Sequence, residues 1–256
     1  MNDTNIMHRY LPLLLCVLSI NLHASECQSI RVNGPNGWEP ISYRDAHGEL
    51  TGMAVEVANE VFSVLGVELK WEAQLPWKRQ QHHLENGSLD LIVAAYFNHE
   101  RASKFIYSES YHIEEIRVFV HKDRAFDFKN FHSLKGKIGL RPLGGTYGSH
   151  FDQFAEDNLN IEESFNTESI MNRLYNRGVD YLVLALFDGL LSAKKYGFSS
   201  GIIPLPKNVA QLPIHFLLSK KSPCADLIEE INTKLMELKS SHVIENLQQK
   251  YLHLLD

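Results

Sequence analysis

The chain has 256 residues, of which 44% are hydrophobic and 22% are charged, and its net charge is −6 at pH 7. A chain of this length has enough apolar content for the core of one large domain or two small ones. The acidic balance, without a clustered basic face, argues against a nucleic-acid-binding protein. We therefore expect no nucleic-acid partner.

The start of the chain has the character of an export signal. The run within Tyr10–Leu22 is apolar but too short to span a bilayer comfortably, and Ala24 is a small residue suited to cleavage. A membrane anchor at the N-terminus is the alternative. We predict a signal peptide at residues 1–24 and export of the remaining chain.

The first half of the mature chain alternates between strand and helix patterns. Short apolar runs bounded by turn residues predict strands, and apolar residues at helical spacing predict helices. The predicted elements are a strand at 29–33, a helix at 53–65, a strand at 67–71, a helix at 77–85 and a strand at 89–95. Residues 96–103 follow as a polar loop that carries Arg101. This alternation is typical of a parallel α/β sheet.

The second half shows the same alternation. The predicted strands lie at 116–121, 137–141, 181–185, 202–205 and 215–218. The predicted helices lie at 149–157, 168–176, 188–196, 225–238 and 243–251. Asp188 stands at the start of its helix, where an aspartate is a good N-cap.

Three motifs carry a resemblance to a known family. Gly87–Asp90 (GSLD) opens a buried strand, Arg101 follows that strand, and Phe105–Tyr111 (FIYSESY) comes next. In this order they resemble the motifs of the bacterial extracellular solute-binding proteins of family 3. Phe131–Leu140 (FHSLKGKIGL) is similar to the segment that opens the second lobe in that family.

The resemblance implies an α/β fold of the two-lobed, periplasmic-binding-protein-like type II, in which each lobe is a mostly parallel sheet flanked by helices. The first lobe would comprise 25–118 plus 217–256 and the second 122–212, with a two-stranded hinge near 117–122 and 210–216. Such a protein is periplasmic and monomeric and needs no cofactor or metal. It captures a small polar ligand, an amino acid or a related carboxylate, for an inner-membrane ABC permease.

Arg101 is the candidate for binding a ligand carboxylate. Ligands bind outside the carboxyl ends of strands in open α/β sheets, and a guanidinium group matches a carboxylate in a bidentate way. A surface arginine in a weak ion pair with Glu100 is the alternative. The resemblance also implies that Trp38 and Trp77 form aromatic walls around the ligand, although both could be ordinary core residues.

Further candidates come from the resemblance alone. Tyr96 and the backbone of Ala94 would lie near the ligand carboxylate. The turn at Gly145-Thr146 would offer amide groups to that carboxylate, as a glycine-rich turn before a helix can. Arg141 would recognise the ligand side chain, or else lie solvated on the surface.

The acid expected for a ligand amine is missing. Members of the family usually carry an aspartate where this chain has Ala185. Asp188, three residues later, or Glu39, beside Trp38, could replace it, or the ligand could lack an amine. The ligand class therefore stays open between an α-amino acid, a basic compound and a carboxylate without an amine.

Removal of the signal leaves two cysteines, Cys27 and Cys224. In an exported protein they either form a disulfide or remain as two buried thiols.

The sequence shows none of the common catalytic motifs, neither a Gly-x-Ser-x-Gly elbow nor a His-Glu-x-x-His pair nor a phosphate loop. We therefore predict a binding protein and no enzyme. One alternative is a dehydratase-like enzyme on the same fold, with Glu39, His99 or Asp188 as the acid. Another is a ligand sensor that presents its closed form to a receptor.

Overall fold

The structure, a computed structural model, describes residues 27–255. The predicted signal peptide lies outside these residues. The strands are β1 (Ser29–Asn33), β2 (Tyr43–Arg44), β3 (Leu50–Thr51), β4 (Glu68–Trp71), β5 (Leu91–Tyr96), β6 (Phe105–Tyr107), β7 (His112–His121), β8 (Ile138–Pro142), β9 (Asn160–Ser164), β10 (Tyr181–Ala185) and β11 (Ile202–Ser219). The α-helices are α1 (Met53–Leu65), α2 (Trp77–Asn86), α3 (His99–Lys104), α4 (Ser149–Asn158), α5 (Thr167–Tyr175), α6 (Leu186–Lys195), α7 (Ile228–Ser240) and α8 (Val243–Leu252).

A mixed sheet with the strand order β4-β1-β5-β11-β7-β10-β8-β9 runs through the described chain, and β6 pairs with β11. At one end β1 is parallel to β4 and β5, and at the other β8 is parallel to β9 and β10. The long strands β7 and β11 pair antiparallel in the middle and join the two parallel parts. The predicted α/β class is confirmed.

The composition of β5 explains its central place in the sheet. Its sequence LIVAAY is apolar on both faces, and all six residues are buried, as expected of a strand covered on both sides. Helix α1 contacts β5, α7 and α8, and α2 contacts β5 and β11. Both helices end at a glycine in the left-handed conformation, Gly66 with φ 68° and Gly87 with φ 83°.

The aspartate of the GSLD motif has a structural role. The Asp90 carboxylate accepts hydrogen bonds from the backbone N–H of Arg31 (2.9 Å) and from its side-chain Nε (2.8 Å). Burial by itself would raise the pKa of Asp90, but the hydrogen bonds from Arg31 outweigh it and lower the pKa. The motif therefore fixes β1 to the turn before β5.

The structure corrects several predicted elements. The predicted loop at 96–103 contains α3, whose first turn is capped by the Asn98 side chain accepting from the N–H of Arg101. The predicted strands at 202–205 and 215–218 are parts of one long strand, β11. Pro204 and Pro206 interrupt its apolar pattern, and β11 accommodates them with shifts of register against β7. Strand β9 was missed because its sequence NIEES is largely polar.

Cys27 and Cys224 form a disulfide with their Cα atoms 5.0 Å apart. It joins the residues before β1 to the start of the C-terminal helical segment. Among the helices of residues 27–255, none has the length and hydropathy needed to cross a membrane.

Candidate functional site

Segments that follow β1, β5, β8 and β10 meet beside the central strands β7 and β11. The Trp38 ring lies edge-on to the Tyr96 ring, with centroids 4.7 Å apart. A Cβ atom added to Gly144, which follows β8, would lie 3.5 Å from the Trp77 ring. Lys195 of α6 forms an ion pair with Glu39 at 2.6 Å. The two parallel parts of the sheet therefore approach each other closely at this site, as the rule for strand ends predicts.

Glu114 of β7 lies at the polar centre of this site, and sequence reasoning did not select it. The residue is 3% exposed. Its Oε2 accepts hydrogen bonds from the Trp38 indole N–H, at 3.0 Å, and from the Tyr96 hydroxyl. Its Oε1 is buried and has no hydrogen-bond partner among the described residues. Burial raises the pKa of Glu114 to about 7, although the hydrogen bonds from Tyr96 and Trp38 oppose the rise.

The sequence of β7, HIEEIRVFVH, already indicates that Glu114 is an acid on the buried face of the strand. Side chains two residues apart share a face of a strand, so Glu114 shares a face with Ile116, Val118 and Val120. All three of these residues are fully buried. A carboxylate in the inward register of an apolar strand is costly to bury, and such a residue needs a specific role.

Asp188 is a second buried acid at the site. It is 5% exposed, and the Ser192 hydroxyl donates to its Oδ1 at 3.3 Å. Burial raises the pKa of Asp188 well above its ordinary value, and the charges of Glu114 and Glu39 raise it further. The N-cap role is wrong: α6 begins at Leu186, its N-cap is Ala185, and no side chain caps it.

Arg101 lies in α3, just beyond the carboxyl end of β5. Its Nε donates to the Gln81 side-chain oxygen (3.1 Å), and its guanidinium carbon lies 5.0 Å from the centroid of the Trp77 ring. No carboxylate among the described residues lies within ion-pair distance of it, so the alternative of a surface ion pair with Glu100 does not hold; Glu100 pairs with Lys104 instead. Burial lowers the pKa of Arg101. An arginine nevertheless keeps its charge in proteins, so the site contains a cation without a direct ion-pair partner among the described residues.

The turn at Gly145-Thr146 directs several of its donors to a carboxylate of the chain itself. The Thr146 hydroxyl donates to Asp152, and the Tyr147 N–H donates to the same carboxylate at 3.0 Å. Arg141 pairs with Asp152 (3.3 Å) and with Glu163 (3.0 Å). Arg141 therefore shares its single positive charge between two acids of the chain.

The remaining predicted residues divide between the site and the core. Trp38, Tyr96 and Glu39 lie at the site, and Trp77 covers one face of Arg101. Ala94 is fully buried inside β5 and belongs to the main apolar core. Within residues 27–255, no three His, Cys, Asp or Glu side chains are grouped so that they could hold a metal ion.

This fold, two parallel α/β units joined by two long central strands with a site between them, defines the class of two-lobed solute-binding proteins. Residues 30–254 match the sequence profile of the bacterial extracellular solute-binding proteins, family 3. The chain belongs to this family, as the motifs around Arg101 predicted.

Individual relatives are distant. The L-cystine-binding protein TcyJ of Escherichia coli is 27% identical over 128 residues, which are 48% of this chain and 44% of that protein. The chain thus matches less than half the length of this curated relative. An ancestral arginine-binding protein bound to arginine has a similar structure, with a TM-score of 0.73 at 23% identity over 88% of this chain and 98% of that one. A histidine kinase sensor domain similar to periplasmic binding proteins has a TM-score of 0.76 at 18% identity, over 88% and 96% of the two chains.

Proposed function

We propose that this protein is a periplasmic binding protein for an amino acid, which it captures between two lobes and delivers to an inner-membrane ABC permease. Arg101 is the observation that carries the proposal. It is a partly buried cation at the carboxyl end of the central strand β5, it stacks on Trp77, and its hydrogen bonds go to neutral groups. A ligand carboxylate would supply the missing charge through a charge-assisted bidentate contact.

Closure of two lobes would provide the rest of the affinity. The first lobe would comprise 25–118 plus 217–256 and the second 122–212, with the hinge near 117–122 and 210–216. Residues 117–121 belong to β7 and residues 210–216 to β11, and the course of these two strands between the parallel parts supports a hinge there. A ligand touching both lobes stabilises only the closed form, so binding shifts the population towards it.

The proposed activity is binding without turnover, by a monomer and without a cofactor. The family consists of solute-binding proteins, and the amino-acid names of relatives support an amino-acid ligand. The cation at Arg101 and the buried acid Glu114 offer opposite charges to the two charged groups of a zwitterion. The enzyme and sensor alternatives rest on likeness of fold alone, since the similar histidine kinase sensor domain is only 18% identical.

Isothermal titration of the mature protein with L-cystine, L-arginine and L-glutamine tests the proposal. We expect at least one of them to bind, and Arg101→Ala to abolish that binding while the folded structure remains. Arg79→Ala is a matched control because Arg79 is an exposed arginine on the neighbouring helix α2. Absence of binding by all three amino acids would contradict the proposal, and unchanged affinity in Arg101→Ala would remove Arg101 from the site.

A further inference from the structure

Glu114 has one satisfied and one unsatisfied carboxylate oxygen. Trp38 and Tyr96 both donate to Oε2, while Oε1 is buried without a partner among the described residues. A buried carboxylate oxygen without a donor is costly, and such groups in native proteins call for an explanation. The residue is 3% exposed, so bulk water does not provide that donor.

The pairing of β7 with β10 shows that Glu114 lies near the position where an acid for a ligand amine was expected. Ala185 stands where the resemblance implied an aspartate for a ligand amine, and it pairs with Ile116 across β10 and β7. Directly opposed residues share one face of a sheet, and so do residues two apart along a strand. Glu114 therefore projects from the same face as Ala185, displaced by about 7 Å along β7. The acid missing from β10 is present on the adjacent strand.

Tyr96 connects Glu114 to the proposed carboxylate site. Its backbone carbonyl accepts from an Arg101 guanidinium nitrogen at 3.5 Å, and its hydroxyl donates to Glu114. One rigid aromatic side chain thus separates an uncompensated cation from an unsatisfied acid. An α-amino acid carries its carboxylate and ammonium group on a single carbon, so we expect such a ligand to lie along this tyrosine, between the two groups.

We propose that Glu114, through Oε1, binds the ammonium group of the ligand, so that the protein selects solutes with an amine over carboxylates without one. This inference rests on the proposed function, because it assigns the second charge of the same ligand. Trp38 and Tyr96 are positioning residues in it, since their donors hold Oε2 and direct Oε1 towards the ligand. The third acid at the site, Glu39, is already neutralised by Lys195.

Matched pairs of ligands test the proposal. The probes are L-arginine with guanidinovalerate, L-glutamine with glutaramate, and L-cystine with dithiodipropionate. The second member of each pair differs only by the loss of the α-amine, or of both α-amines in the case of cystine. We expect Glu114→Gln to weaken binding of the amino acid by roughly 10- to 100-fold, the scale of a hydrogen bond to a charged group. The affinity for the amine-free member should change little.

Glu115→Gln is the control variant, because Glu115 is the next residue of β7, lies on the opposite face and pairs with Arg117. It should change neither affinity. Glu114→Asp keeps the charge and should keep part of the preference for the amine. This second variant keeps the proposal testable even if Glu114→Gln does not fold. Equal losses for both members of a pair, or no loss, would overturn the assignment of Glu114 alone. Failure of the unmodified protein to bind any amino acid would overturn the proposed function and this inference with it.

Discussion

The indole N–H of Trp38 donates to Oε2 of Glu114 over 3.0 Å, although 76 residues separate the two in the chain. The bond ties the turn after β1 to the central strand β7. It also uses the polar edge of the tryptophan, so the ring face remains available as an apolar wall, as the resemblance implied. Trp38 therefore both shapes the site and orients its buried acid.

The first prediction concerns this double role. Trp38→Ala should weaken ligand binding by about 1–3 kcal/mol, because it removes a large apolar surface and one donor to Glu114. Trp38→Phe retains the ring contact with Tyr96 and removes only the donor, so we expect a smaller loss. Titration calorimetry of both variants measures the difference. Full affinity in Trp38→Ala would make this tryptophan purely structural.

The second prediction is that the unliganded protein becomes more stable when Glu114 is made neutral. Burial raises the pKa of Glu114 from 4.5 to about 7, so the folded state binds more protons than the unfolded state between these values. The free energy of unfolding contributed by this group therefore falls as the pH rises through that window, by about 3 kcal/mol in all. Glu114→Gln should unfold at a higher temperature than the unmodified protein at pH 8, and the gap should narrow at pH 5.

Differential scanning calorimetry at both pH values measures this gap. The charge of Glu114 also raises the pKa values of its neighbours Asp188, Tyr96, Tyr111 and Tyr147, so the gap between the two proteins reports the response of this whole buried cluster to the loss of that charge. Glu115→Gln serves again as the control. A gap that does not depend on pH would show that the Glu114 carboxylate is not strained by its burial.

The third prediction concerns the ion pair between Lys195 of α6 and Glu39 beside Trp38. The Lys195 side chain is 50% exposed, so the pair contributes at most about 1 kcal/mol, and salt screens it. Lys195→Ala should weaken ligand binding by up to about fivefold at low salt and by less in concentrated sodium chloride. Lys194→Ala, a change at the adjacent exposed lysine, should have no effect. An equal loss of ligand affinity in both variants would show that the ion pair between Lys195 and Glu39 has no specific role in binding.

The fourth prediction is that the mature protein has no free thiol. Cys27 and Cys224 are 197 residues apart, so their disulfide restricts a long loop of the unfolded chain. Its removal should cost about 2–5 kcal/mol of unfolding free energy. Mass spectrometry under non-reducing conditions, with thermal unfolding before and after reduction, tests both statements. Detection of two free thiols would contradict the bridge.

The sequence was most informative where local pattern and burial agree. The bounds of β1, α1 and β10 were predicted to the residue, because each is an apolar or amphipathic run bounded by turn residues. Local propensity did not predict the strands that form because a neighbouring strand pairs with them. Strand β9 is polar and forms because β8 offers it a partner, and β11 continues through its prolines because β7 lies beside it.

The site shows the same division. The sequence by itself determined the family, the α/β class and the choice of Arg101, because the motifs around β5 are contiguous and their residue types limit the chemistry. Only the tertiary structure shows the buried acid Glu114 beside Tyr96, on which the proposed amine site rests. The pairing of β10 with β7 places Glu114 on the face of Ala185, and Trp38 and Tyr96 both donate to its Oε2 while its Oε1 is buried. Such a contact depends on strands that are distant in sequence, so no local pattern could specify it.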